Sequence, residues 1–505
     1  MNENLNDLLV SITGDIDTFM YTYILVILLV VVGVYYTIRT KAVQIRYIKD
    51  MFTQLAEKRH VEGRRSISSF QAMMVSTASR VGTGNIAGVA TAIATGGPGA
   101  VFWMWLMCII GAASAFIEST LAQIFKVRHK EGEFRGGPAY YIEQGLNARW
   151  LGIIFAVALI LCFAFGFNGL QAYNMTSSLE YYIPDYATNG VALGVGIALI
   201  VFTAFVIFGG AKRISIITSV IVPIMAIAYI ALSLWTVLAN VGEIPAVFAL
   251  IFESAFNFQS IAGGFAGSVI MLGIKRGLFS NEAGMGSAPN AAATASVSHP
   301  VKQGLVQSLS VYIDTLLICT ASALMVLIFY VQNEAAATAL NGMPLVQMAV
   351  NNSVGEFGIH FMTFAIFAFA FSSIIGNYFY AESNFLYITK NRYALLAFRL
   401  LCLAAVLYGC VNSFDLAWNL ADIFMGFMAI INLIAILLLG KWALAALADY
   451  TRQRNEHKDP IFVASSIPGL PPVQCWKDGE LHDFGPKPIK EYIDEALDPD
   501  APPLT

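Results

Sequence analysis

Residues 68–100 read SSFQAMMVSTASRVGTGNIAGVATAIATGGPGA. A helix rises about 1.5 Å per residue, so roughly 20 apolar residues cross a bilayer core of ~30 Å. Counted from Arg65, the crossing is complete well before the apolar run ends at Ala94. Near its middle stand Arg80, Gly82, Thr83, Gly84 and Asn85. A span this long with glycines at mid-depth predicts two half-helices joined by an unwound stretch. Such backbone is tolerated inside a membrane only where it is packed in protein or lines a cavity. A packing or kink set is the competing reading, because Gly84 and Gly88 also have small-xxx-small spacing. GTGN is no dinucleotide fingerprint: the spacing is GxGxxxG and no strand precedes it.

The composition of the whole chain agrees with a membrane setting. Its 505 residues are 57% hydrophobic and 12% charged, with mean hydropathy +0.67. Soluble domains carry roughly 25% charged residues, so a cytosolic enzyme, a disulfide scaffold, a disordered chain and a nucleic-acid binder are excluded. The net charge of −4 offers no polyanion-binding field. The six cysteines form no CxxC pair and the six histidines no HExxH, so neither metal nor cofactor is expected.

Apolar runs long enough to cross fall near 19–38, 66–95, 99–125, 150–180, 190–210, 214–239, 246–280, 303–332, 359–389, 393–411 and 415–440, eleven in all. The acidic leader (Glu3, Asp7, Asp15, Asp17) argues against a signal peptide. One alternating set of loops, with the tail, holds 28 of the 29 basic residues, Lys275 and Arg276 among them. Basic loops stay cytoplasmic, which predicts the N-terminus outside and the C-terminus inside. The remaining basic residue is Arg80. The expected organisation is a first span outside the core (1–40), a cytoplasmic amphipathic segment (41–65), two five-helix units (66–240 and 241–440) and a cytoplasmic tail (441–505). The proline-rich tail is read as an amphipathic start followed by a solvated extension with little packed core.

The span at 246–280 repeats the first pattern. It is too long for one crossing and reads FQSIAGGFAG at its centre, with Gly263 and Gly264 as the expected break. Spans two and seven run in opposite directions, five spans apart. Inverted units with a glycine-interrupted helix at matching places point to a secondary transporter with a midplane site. At such a break, free N–H groups and the positive helix end favour an anion, and free carbonyls a cation. A zwitterion with adjacent carboxylate and ammonium groups suits both, and sodium suits the remaining oxygens. Span four adds Asn168, Gln171 and Asn174 on one helix face. Amides there must face protein or a cavity, as interhelix bonds or as substrate contacts.

VGTGNIAGVATAIATGGPGAVFWMW (81–105), GGPAYYIEQGL (136–146), RGLFSNEAGMGSAP (276–289) and FSSIIGNYFYAES (371–383) resemble the motifs of the alanine/glycine:cation symporter family. The likeness covers residues of about 15–450. It implies an all-α polytopic fold like that of the leucine transporter, LeuT, and sodium-coupled uptake of small neutral amino acids across the plasma membrane (in bacteria the inner membrane). A proton-coupled carrier, or one for a larger amino acid such as glutamine, is the alternative. VGTGN also looks like the VGxGN of the LeuT superfamily's first broken helix. By that likeness Thr83 and Gly84 offer N–H groups to the substrate carboxylate, with Asn85 near substrate and any first sodium. The carbonyls of Ala78 and Val81, with Ser372 and Ser373, form the second sodium site. The likeness also favours Gln171 as a substrate contact, and Gly263, Gly264 and Phe265 join the pocket. Asn377 stands where many members carry tryptophan, and Asn290 and Ala292 where many carry an apolar residue and histidine.

Arg80 requires water or a partner, since an ionised arginine at mid-depth costs at least ~2.5–3.5 kcal/mol. It is read as half of a cytoplasmic gate, with Glu118, Asp314 or Glu382 as the acid, against direct substrate contact or snorkelling. Asp314 and Asp422 are read as helix-bonding groups rather than proton relays. A channel would show repeated pore loops or charged rings, and an enzyme a nucleophile–base pair or metal set. Neither pattern is present in the sequence.

Overall fold

The computed structural model describes residues 3–56, 67–129, 133–257, 269–411 and 414–477. They fold as helices, joined by one two-stranded ribbon, Val127–Arg128 with Phe134–Arg135. Helix α1 is Leu8–Arg39, longer than its apolar centre and opened by a π-turn at Tyr21–Leu25. The next span is interrupted as its glycines predict. Helix α2, Ser69–Arg80, starts at a capping box in which Ser68 and Gln71 bond each other's backbone amides. It stops at Val81, whose backbone is extended (φ −78°, ψ 93°). The chain resumes through a π-turn at Gly84–Gly88 into α3, Val89–Gly96.

Then follow α4 (Ala100–Ile124), α5 (Arg149–Ser177), α6 (Val191–Ile207), α7 (Gly210–Ala239) and α8 (Ile244–Ala255). The second half holds α9 (Val269–Asn281), α10 (Pro300–Gln332), α11 (Glu356–Ile388), α12 (Arg392–Cys410) and α13 (Phe414–Asn455). Among the described residues, eight helices are long and apolar enough to cross a membrane, which makes this a multi-pass membrane protein. Outward side chains such as Phe202, Phe205, Ile227 and Trp235 are more than 60% exposed, which only lipid makes favourable. The protein-facing core gathers α4, α9, α10 and α13 around α1 and α5.

Two expectations change, and a third is not tested. Gly263, Gly264 and Phe265 lie outside the described residues. A second loss of helix comes later, after Asn281, where residues 282–288 turn through left-handed backbone at Glu282 (φ 55°), Gly284 and Gly286 (both φ 85°). Glycine accepts that geometry without a Cβ penalty.

Lys275 and Arg276 are not loop residues. They are buried on α9, where Lys275 Nζ lies 2.5 Å from Asp17 and 2.7 Å from Asp422. Arg276 forks onto Asp422 at 2.9 and 3.2 Å. Asp17 is some 33 Å of helix from Arg39, near the opposite end of α1. Two cations neutralised by two anions can be buried at that depth, which a count of loop charges does not detect.

The described part of the tail, to residue 477, also packs. Residues 456–477 fold back across the end of the bundle that holds the ribbon. Trp476 is 1% exposed, its Nε1 donates to the Gln123 carbonyl at 2.8 Å, and Lys126 stacks on its ring. Phe462 N–H donates to the Ser298 carbonyl at 3.0 Å and Lys302 pairs with Asp459 at 2.7 Å. Ser296 N–H in turn donates to the Ile67 carbonyl at 3.0 Å, just before α2. Aromatic burial, not the proline content, decides this segment.

Candidate functional site

The site begins where α2 runs out of hydrogen bonds. Val81 N–H makes the last rung, to Thr77 at 2.7 Å. The next amide, Gly82, turns instead to Asn85 Oδ1 at 3.1 Å. The Ala78 carbonyl thereby loses the partner a continuing helix would supply. The Val81 carbonyl is met by Ser373 Oγ from α11 at 3.2 Å. Ser373 and its neighbour Ser372 are both buried, but Ser372 spends its hydroxyl on Phe369 of its own helix at 2.8 Å. Gly376 lets α11 come this close, because a Cβ there would sit 2.7 Å from the Ser79 nitrogen.

On the other side of the break, Thr83 N–H donates to Gln171 Oε1 of α5 at 3.1 Å. Thr83 Oγ1 is buried with no hydrogen-bond partner among the described residues. A buried hydroxyl without a partner costs about 1–3 kcal/mol, so this one is poised for a ligand. Gly84 faces the Phe279 ring so closely that a Cβ would lie 2.7 Å from it. Phe279 packs edge-on to Phe167 and tilted on Trp418, with centroids 4.8 and 5.2 Å away. The apolar wall over the break therefore comes from α5, α9 and α13.

Asn85 Nδ2 donates to Asp314 Oδ1 at 2.6 Å and lies 3.0 Å from Ser280 Oγ. Ser280 and Thr315 hydroxyls donate to the other Asp314 oxygen at 2.5 and 3.1 Å. Asn377 joins three helices: its Oδ1 is 2.7 Å from Ser79 Oγ, and its Nδ2 donates to Asn168 at 3.0 Å. Ser79 Oγ is also 2.9 Å from Glu282 Oε1, so two acceptors share one hydroxyl proton. Of the span-four amides, Gln171 reaches the break and Asn168 reaches Asn377. Asn174 bonds back to Leu170 at 2.9 Å.

Arg80 is 2% exposed. Its Nε lies 4.0 Å from Glu282 Oε2, and Nη1 bonds the Ser310 hydroxyl. The acid beside it is therefore Glu282, and not one of the three expected. Glu118 caps the irregular 282–288 stretch, accepting from Gly284 and Gly286 amides at 3.2 and 3.1 Å and from Asn432 at 2.8 Å. Asp314 is held by the Asn85 set, and Glu382 pairs with Arg399 at 2.7 Å. Arg80 Nε and Nη2 have no hydrogen-bond partner among the described residues.

Glu282, Ser280, Phe279 and Ser310 were not anticipated. The first three belong to the motif at 276–289, at the end of the expected span 246–280, where the charge count had assigned Lys275 and Arg276 to a loop. All the side chains named at the break are buried. What the break brings together is a carbonyl end with an adjacent hydroxyl, and an amide end with an amide side chain and an orphan hydroxyl. Those are the complements of a small hard cation and of a carboxylate.

Similarity to known proteins bears on the family and the fold. A profile of the sodium:alanine symporter family matches residues 6–464. The chain is similar to the amino-acid carrier protein AlsT of Bacillus subtilis, 46% identical over 94% of this chain and 99% of that one. It is 45% identical to the same organism's probable sodium/glutamine symporter GlnT, over 94% and 97%. It is 38% identical to the sodium/alanine symporter AgcS of Methanococcus maripaludis, over 85% and 94%. Among solved structures, MhsT in complex with L-phenylalanine aligns with a TM-score of 0.58 at 14% identity, covering 76% of this chain and 96% of that one. The fold is thus LeuT-like, and with matches of this length the chain belongs to the sodium:alanine symporter family.

Proposed function

We propose that this protein takes up a small neutral amino acid, alanine or glycine, in symport with sodium by alternating access. The observation that carries the proposal is the break itself. Carbonyls freed at Ala78 and Val81 stand beside Ser373, while the Thr83 amide and its orphan hydroxyl stand beside Gln171. Sodium coordinated at the first end compensates for carbonyls that the helix no longer satisfies. A substrate carboxylate at the second end takes the amides of Thr83 and Gly84, and Gln171 turns its NH2 toward it. The Phe279–Phe167–Trp418 wall excludes water, which strengthens both interactions. Asn85 lies beside the substrate, and Asn377 sets the polarity of the pocket edge. Because the cation and the anion occupy two ends of one interrupted helix, each stabilises the arrangement that the other needs. That is the coupling a symporter requires.

The Arg80–Glu282 pair joins α2 to the irregular stretch after α9. We assign it the gating role, with the N-terminus outside and the C-terminus inside the plasma membrane. The chain is a carrier and not an enzyme, and it needs no cofactor beyond sodium as coupling ion. A larger substrate such as glutamine is favoured by one observation, the polar Asn377 at the pocket edge, and one relative of 45% identity is called a probable sodium/glutamine symporter. Competition of an amino-acid panel against labelled alanine uptake, with and without sodium, tests the reading. Alanine and glycine compete best if it is right. Preferential competition by glutamine replaces the substrate, and undiminished uptake without sodium under a proton gradient replaces the ion.

A further inference from the structure

Where α1 ends and α13 continues past its apolar stretch, the two helices leave a groove of about 620 Å³. Its floor is apolar, built from Leu444, Leu447 and Ala448, and its rim carries Arg39, Lys41, Arg46 and Arg452. The chain makes its turn out of α1 at Lys41 and Ala42, both left-handed (φ 56° and 52°). Non-glycine residues take that geometry only where the surroundings impose it. The turn carries Lys41 and Arg46 to the same groove as Arg39.

Beyond it, the short helices Val43–Arg46 and Ile48–Thr53 expose Ile45, Ile48 and Phe52, at 58%, 48% and 56%. Ile38 at the end of α1 is 69% exposed. Large apolar side chains beside arginines and lysines, at the end of a membrane span, mark a segment lying in the headgroup plane.

The charges of the rim are unequal in what holds them. Arg452 bonds Asp449, and the one carboxylate of the rim, Glu456, pairs with Lys458 at 2.7 Å. Among the described residues, Arg39 donates to the Tyr35 hydroxyl at 3.2 Å and lies over that ring, and Arg46 donates to the Thr40 carbonyl at 3.4 Å and lies over the Tyr47 ring, so both are held by neutral groups. Arg39, Lys41 and Arg46 have no carboxylate within ion-pair distance among the described residues. Three uncompensated cations over an apolar floor at the membrane edge make a site for a phosphate joined to acyl chains.

We propose that this groove binds one anionic phospholipid of the cytoplasmic leaflet. Its phosphate lies among Arg39, Lys41 and Arg46: the two guanidinium forks suit phosphate oxygens, and the Lys41 ammonium adds a compact positive charge. Its chains run along Leu444 and Leu447 toward the lipid-facing sides of α1 and α13. The bound lipid braces these two helices at one end of the bundle, and the Asp17–Lys275–Asp422 cluster ties both to α9 near the other. The proposal rests on the orientation given above, but lipid binding is measured without transport, so either can fail alone.

The test uses the purified full chain, stripped of lipid, in native mass spectrometry against phosphatidylglycerol, phosphatidylcholine and inorganic phosphate. Phosphatidylglycerol is expected to bind at least about tenfold more tightly than phosphatidylcholine, a preference that weakens with salt. The R39Q/K41Q/R46Q variant loses that preference, and K390Q/R392Q, which removes two exposed basic residues elsewhere, keeps it. Arg46→Lys retains most of it, which guards against a misfolded triple variant. Equal binding of the two lipids, or an unchanged preference in the triple variant, overturns the proposal. So does full competition by inorganic phosphate, which would make the groove a phosphate site.

Discussion

Ser373 Oγ donates to the Val81 carbonyl across 3.2 Å, joining α11 to the point where α2 stops being helical. If sodium uses the same oxygens, Ser373→Ala removes a ligand worth about 1–1.5 kcal/mol. The sodium concentration for half-maximal uptake should rise roughly tenfold, with protein stability changed much less. An unaltered sodium curve removes Ser373 from the site.

Gly84 is required by contact, because any Cβ meets the Phe279 ring. Gly84→Ala should overpack the break at a cost of about 1–3 kcal/mol, reducing alanine affinity some ten- to a hundredfold. Shortening the ring with Phe279→Leu in the same chain should recover part of the loss. Normal binding by Gly84→Ala alone would mean that the carboxylate lies elsewhere.

Arg80 and Glu282 should behave as a unit. Glu282→Gln leaves a buried guanidinium uncompensated, at a cost of about 3–5 kcal/mol, and should slow transport more than it weakens substrate binding. Arg80→Met combined with Glu282→Gln should be less damaging than the sum of the two single changes, by a coupling of ~1–3 kcal/mol in a double-mutant cycle. Additive effects would separate the two residues. A loss of alanine affinity without a change of rate, in Arg80→Ala, would restore the reading of direct substrate contact.

The packed tail predicts a stability effect. Trp476→Ala removes a buried ring, a hydrogen bond to Gln123 and the stacking of Lys126. Large-to-small changes of this kind cost about 3–5 kcal/mol, so the thermal midpoint of the detergent-solubilised protein should fall by several degrees. A midpoint within a degree of the parent would show that the tail is not anchored there.

The break in α2 was legible because helix length and glycine placement are local and additive: the run was too long for the bilayer, and its glycines sat at the depth where the excess lay. Ser373 and Gln171 were legible by likeness to a known motif, and each has its hydrogen bond to the break. The role of Glu282 was hidden by its neighbours. Lys275 and Arg276 read as the start of a loop, since sequence position cannot reveal that Asp17 and Asp422, hundreds of residues apart from one another, neutralise them. Trp476 was hidden by surrounding prolines, whose stiffness does not forbid docking when an aromatic side chain finds a pocket. In each case the missing information was a long-range partner.

The coupling of the two ends of the broken helix is most directly tested in proteoliposomes holding the purified chain, with labelled alanine outside. An inward sodium gradient should drive accumulation above equilibrium, and replacing sodium by choline at fixed pH should abolish it. Accumulation of the same extent in choline would contradict the account.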